Sequence, residues 1–181
     1  MEPLQLSVVS CQLSEGEKLK TKKWALTGCH GRRPNIIKSF YMVEGDLEKF
    51  NLTLQKKYKI IQKKEERYES LFLEDARVIL VAYGSMARIA KSALNQLRGK
   101  GERIGFIRPI TLWPFPEKIF RRLTVNGKRL TFLVIEMSYG QMLEDVKLAV
   151  NGKAKVEFLG RSGGGIPTEE EIIDKIRKIS V

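Results

Sequence analysis

From Arg77 onward, four short apolar runs alternate with four stretches of helical period, and this alternation constrains the fold more than anything else in the chain. Arg77 to Tyr83 is a continuous aliphatic run closed by Gly84, the pattern of a strand buried on both faces of a parallel sheet. Ser85 then predicts a capped helix in which Ile89, Ala93 and Leu97 face inward, up to the stop at Gly99-Lys100-Gly101. Arg103 to Ile107 reads as the next strand, Glu117 to Leu123 as a helix, Leu130 to Ile135 as a strand, and Gln141 to Val150 as a helix ended by Asn151-Gly152. Lys155 to Leu159 gives a fourth strand and Arg161 to Pro167 a glycine-rich loop. Thr168 to Ile179 is a last helix whose Thr168 and Glu171 have capping-box spacing. Four such units predict an α/β domain over 74–181, an open and mostly parallel sheet with helices on its flanks.

The first part of the chain reads differently. Residues 1 to 43 hold no sustained period and carry the turn-prone Gly28, Gly31 and Pro34, so they predict an extended connecting segment with one short strand at Leu4 to Val9. From Glu44 to about Ser70, Leu47, Phe50, Leu54, Tyr58 and Ile61 recur at three and four residues, with Glu65 and Tyr68 on the same face. This predicts one long amphipathic helix, within a linking region of 44–73, whose apolar stripe serves core or subunit contact. A length of 181 residues suits one domain with an appendage.

Composition removes several classes of function. The hydrophobic share of 43% can supply a core, while no apolar run approaches the roughly 20 residues needed to span a bilayer. The start at Met1-Glu2-Pro3-Leu4 lacks the features of a secretory signal, which points to the cytoplasm. Cys11 and Cys29 have neither disulfide-framework nor metal-site spacing, and the adjacent His30 adds no second ligand pair. The net charge of +12 suits an acidic partner, an anionic surface or nucleic acid. Its clusters at Lys18 to Lys23, Lys56 to Arg67 and Arg121 to Arg129 alternate with Glu and apolar positions, however, and read as solvated helix faces rather than a nucleic-acid track. Abundant Lys, Glu and Ile with few Gln and Asn suits a thermophile.

In an open parallel sheet, ligands bind beyond the carboxyl ends of the strands. Here those ends carry Tyr83, Gly84 and Ser85; Arg108; Glu136 with Tyr139 and Gln141; and the Gly163-Gly164-Gly165 loop. Gly84 and Ser85 form either a tight capped turn or an anion site at a helix N-terminus, with no GxGxxG or P-loop pattern around them. The triple-glycine loop lacks a following lysine and precedes Pro167, so it reads as an approach to the last helix rather than a phosphate cradle. Arg108 and Glu136 carry opposite charges that pair with each other or with a partner. Neither Ser85 nor Ser138 has a histidine base within its region, so no hydrolase constellation is visible. Between Arg108 and Pro116 stand three prolines and Trp113, a rigid loop suited to meeting another surface.

Three of these motifs in order, Ala82-Tyr83-Gly84-Ser85, Arg108-Pro-Ile-Thr-Leu-Trp113-Pro-Phe-Pro116 and Glu136-Met-Ser-Tyr139-Gly-Gln141, resemble the C-terminal part of the alpha subunit of 2-oxoacid:ferredoxin oxidoreductases. The likeness is greatest to the 2-oxoisovalerate and 2-oxoglutarate members, and the domain is similar to the C-terminal domain of transketolase-type enzymes. The resemblance implies an interface and scaffold domain, inactive alone, in a complex that oxidatively decarboxylates a 2-oxo acid to an acyl-CoA with ferredoxin as electron acceptor. Thiamin diphosphate, magnesium and iron–sulfur clusters would then be held elsewhere in that complex, with beta, gamma and delta subunits as partners. The pyrimidine-binding domain that precedes this region in such subunits is not expected within 181 residues, which suggests a domain, a fragment or a split subunit. The alternative reading is a free-standing α/β module that binds an anion such as CoA or a nucleotide at its strand ends.

Overall fold

A computed structural model describes residues 40–125 and 129–180. The expected strand at Leu4 to Val9, the two cysteines and His30 lie outside the described residues. The chain divides into two compact units, Met1–Leu52 and Thr53–Val181. In the first, the described part opens helix α1 (Asp46–Lys64), with Asp46 and Glu48 in the first turn, where a carboxylate meets the positive end of the helix dipole. The Tyr41 and Phe50 rings lie 5.5 Å apart there. No side chain of α1 is buried.

The second unit holds a five-stranded sheet. Its elements are β1 (Tyr68–Leu71), β2 (Val78–Ala82), α2 (Gly84–Gly99), β3 (Ile104–Pro109), α3 (Glu117–Thr124), β4 (Thr131–Glu136), α4 (Gln141–Val150), β5 (Lys155–Gly160) and α5 (Glu169–Ser180). The strand order is β1-β3-β2-β4-β5, with β2 through β5 parallel and β1 antiparallel against β3. The helix expected to run to about Ser70 therefore ends at Lys64, and Tyr68–Leu71 is an edge strand. Its burial alternates exposed and half-buried, the period of a strand with one covered face, and Leu71 packs against the core.

Alternation along the central strands sends side chains to two layers. Val78, Leu80 and Ala82 of β2 join Phe106 of β3 and Leu133 of β4 under α2 and α5. Ile79, Val81, Phe132 and Val134 face α3 and α4 on the other side. A strand covered on both faces must be apolar throughout, and all five residues of β2 are buried. The capping box of α5 forms as expected: the Thr168 amide donates to Glu171 Oε2 at 2.9 Å, and the Glu171 amide donates to Thr168 Oγ1 at 3.3 Å.

Candidate functional site

The strand-end edge begins where β2 turns into α2. Tyr83 is extended and serves as N-cap, Gly84 takes φ 57, and no side chain caps the helix. A left-handed φ favours glycine because a Cβ would crowd the following carbonyl. Ser85 lies inside the first turn with an exposed side chain, so the expected serine cap is not formed; the positive-φ glycine already starts the helix one residue earlier.

Arg108 lies on β3, two strands from β4, because β2 runs between them. It cannot meet Glu136. Its partner is Glu69 on β1 at 3.5 Å, and the same carboxylate accepts a hydrogen bond from Lys91 on α2 at 2.6 Å. The Lys91 hydrogen bond holds the Glu69 carboxyl below the usual carboxylate range, against the opposing effect of burial, and Arg108 adds to the lowering. Gly84, Ser85, Ala87, Arg88, Lys91 and Arg108 line a cavity of about 320 Å³ beside these pairs.

Glu136 ends β4 with 0% of its surface exposed. Its Oε2 accepts from Ser138 Oγ at 2.9 Å and from the Met142 amide at 3.0 Å, and its Oε1 accepts from the Leu143 amide at 3.4 Å. The strand-end carboxylate thus caps α4 from outside the helix, where the N-cap Gly140 has no side chain to offer. Tyr139 projects from the intervening turn with 79% of its surface exposed, and Gln141 is exposed at the helix start.

The proline-rich loop is tied down on both sides. The amides of Ile110 and Thr111 donate to the Arg67 carbonyl at 3.0 and 3.2 Å, and Thr111 Oγ1 donates to the Pro114 carbonyl at 2.9 Å. The Trp113–Pro114 peptide is cis, and Phe115 stacks on Phe120 at 5.5 Å. Trp113 stays 55% exposed and meets the edge of Tyr58 at 5.5 Å. A second cavity, of about 460 Å³, lies along this loop, with Lys59, Trp113, Phe115, Lys118 and Asp145 among its lining residues.

Burial pushes the Asp145 carboxyl above its ordinary range, and the charges of Glu136, Glu144 and Glu117 push the same way. A raised carboxyl favours the folded state when protonated, so its contribution is complete below the ordinary value of 3.8 and is lost as pH rises through the folded value. Asp145→Asn is therefore expected to be more stable than the parent at pH 7, with the gap closing in acid. Urea denaturation at both ends of that range measures it; an equal gap at pH 3 and pH 7 contradicts the assignment.

The predicted residues thus fall into separate places. Gly84, Ser85 and Arg108 share the cationic cavity, with Tyr83 at its approach as the N-cap. Trp113 belongs to the loop cavity, Glu136 is interior, and Tyr139 and Gln141 stand on the surface. Arg88, Lys91, Glu69 and Asp145 are the residues that sequence reasoning missed. The spacing of Arg88 and Lys91 on one helix face, three residues apart, was the available signal. Among the described residues no group of three His, Cys, Asp or Glu is placed to hold a metal ion, and the Gly163–Gly165 loop closes on itself through a Gly165-to-Ser162 backbone bond of 3.2 Å.

A five-stranded, mostly parallel sheet with helices on both faces defines the class, an open α/β domain. The chain belongs to the family described as pyruvate:ferredoxin oxidoreductase core domain II, whose model matches residues 76–172. It is 43% identical over 157 residues to the ketoisovalerate oxidoreductase subunit VorB of Methanothermobacter marburgensis, covering 87% of this chain and 44% of that protein. It is 38% identical over 103 residues to the 2-oxoglutarate synthase subunit KorA of the same organism, covering 57% of this chain and 27% of that protein. Among solved structures, the 2-oxoglutarate:ferredoxin oxidoreductase of Magnetococcus marinus, with 2-oxoglutarate, coenzyme A and succinyl-CoA bound, superposes with a TM-score of 0.64 at 18% identity. That match covers 76% of this chain and 24% of that one, and establishes the shared fold. The chain spans less than half the length of the curated relatives it matches.

Proposed function

We propose that residues 74–181 are the interface and scaffold domain of the alpha subunit of a 2-oxoacid:ferredoxin oxidoreductase, with residues 44–73 linking it to the rest of the assembly. The carrying observation is the match to the ketoisovalerate subunit over 87% of this chain. It is longer and closer than the match to the 2-oxoglutarate subunit, and favours a branched-chain 2-oxo acid as substrate of the complex. In this reading the cytoplasmic complex decarboxylates the oxo acid oxidatively, forms an acyl-CoA and reduces ferredoxin. Thiamin diphosphate, magnesium and iron–sulfur clusters are, in the same reading, held by other parts of the complex.

What the domain contributes is surface. Ile110, Leu112, Trp113 and Tyr139 are exposed along the strand-end side, and Tyr58 and Ile60 are exposed on α1. Exposed aromatic residues on a rigid frame bind partners at low entropic cost.

Reconstitution tests the reading. The chain alone is expected to bind no thiamin diphosphate with magnesium in a calorimetric titration and to show no oxo-acid-dependent reduction of a viologen dye. Mixed with the cofactor-binding and cluster subunits, it should co-elute with them and restore that reduction. Saturable thiamin diphosphate binding by the chain alone, or full activity of the partners without it, overturns the proposal.

A further inference from the structure

We propose that the cavity at the carboxyl ends of β2 and β3 binds a phosphate ester, with Arg88, Lys91 and Arg108 supplying the charge. This role is independent of the interface role. Three of the six lining residues are cations. The carboxylate paired with them is Glu69, which serves both Lys91 and Arg108. Three cations against one carboxylate leave a surplus of two positive charges, matching a phosphate dianion.

Arg88 has no ion-pair partner among the described residues and its side chain is exposed on the cavity side of α2's first turns. Like charges gathered in one concavity repel each other, and an anion among them removes that cost. The cavity at the other end of the sheet differs. It also has three arginines, Arg77, Arg103 and Arg129, but two carboxylates, Glu74 and Asp75, are among its own lining residues, whereas no carboxylate is among those of the strand-end cavity.

Backbone geometry adds to the charge. The first intrahelical bond of α2 runs from the Ala87 amide to the Tyr83 carbonyl, and no side chain caps the amides before it. Gly84 and Ser85, at the positive end of this 16-residue helix, are among the residues that line the cavity. A Cβ at Gly84 would meet nothing within 4 Å, so the space over the first turn is clear. The Ser85 hydroxyl, exposed there, is a further donor. At about 320 Å³ the cavity is larger than a bare ion needs and falls within the range of small-molecule sites, so it takes a phosphate together with part of the group that bears it.

Calorimetric titration of the whole chain at low salt, with inorganic phosphate, pyrophosphate and adenosine 3′,5′-bisphosphate as probes, tests this. One saturable site is expected, weakening as salt rises, and tighter for the nucleotide than for inorganic phosphate. Preference for inorganic phosphate would contradict the ester assignment. Arg88→Gln, an exposed change, and Arg108→Gln should each weaken binding by about tenfold or more, equivalent to about 1.4 kcal/mol. Ser85→Asp should abolish binding while leaving the melting temperature unchanged or higher, because its carboxylate favours the helix start and repels the ligand. Arg103→Gln, at the opposite end of the sheet, should leave affinity unchanged. No saturable binding of any probe at about 10 mM, roughly tenfold above a Kd of about 1 mM, overturns the proposal. So does binding that persists unaltered in both Arg88→Gln and Ser85→Asp.

Discussion

Glu136→Ala is expected to destabilise the domain by about 2–4 kcal/mol, the sum of a lost helix cap and a buried amide left without an acceptor. The carboxylate accepts from Ser138 Oγ and from the amides of Met142 and Leu143, and Met142 is itself buried, so water cannot replace the lost acceptor. Glu136→Gln keeps the shape and one acceptor oxygen but gives up the negative charge at the positive end of α4. It should fall between the parent and the alanine variant. Urea denaturation of all three decides the matter, and a loss below about 0.5 kcal/mol for alanine, the range of surface substitutions, rules out the capping role. The same contacts give a buried strand-end glutamate a structural explanation complete in itself.

The parallel sheet was legible because its strands are continuous apolar runs set between turn residues, and two covered faces tolerate nothing else. The edge strand β1 was not. Tyr68 continues the helical spacing of α1, and what makes it a strand is pairing with β3 some forty residues away, with Tyr68 opposite Pro109. Local periodicity carries no trace of such a partner. That error hid a site residue as well, since Glu69 reaches Lys91 and Arg108 because β1 lies at the sheet edge.

Ser85 shows another limit. A serine after a strand reads as a cap, but the positive φ of Gly84 moves the helix start forward and leaves the serine in the first turn. Arg88 and Lys91 are three residues apart on α2, and the adjacency of β2 and β3 brings Arg108 to them. By the same topology Arg108 and Glu136, both correctly placed at strand ends, are kept apart by the strand between them.

Phe120→Ala is expected to cost about 3–5 kcal/mol, the usual loss for a large aromatic residue removed from a core. Phe120 is fully buried on α3, stacks on Phe115 of the proline-rich loop at 5.5 Å and meets Phe132 of β4 at 5.5 Å. It joins the loop to the sheet. Its loss therefore removes the support beneath Trp113 while the Thr111 and Arg67 bonds on the far side remain, so hydrogen exchange at Leu112, Trp113 and Phe115 should rise more than the global destabilisation accounts for. Trp113→Ala makes the opposite case. Over half exposed, with one edge contact to Tyr58, it should cost about 1 kcal/mol or less in stability. If the loop meets a partner subunit, that same change should weaken assembly by about tenfold or more, as loss of an aromatic anchor does. Sedimentation or surface-binding measurements with the partner subunits separate the two variants: Phe120→Ala weakens association through a loosened frame, and Trp113→Ala weakens it on an intact one. A Trp113→Ala chain that folds and assembles like the parent would remove the loop from the interface, even though hydrogen bonds to Arg67 and within the loop hold its aromatic surface in place.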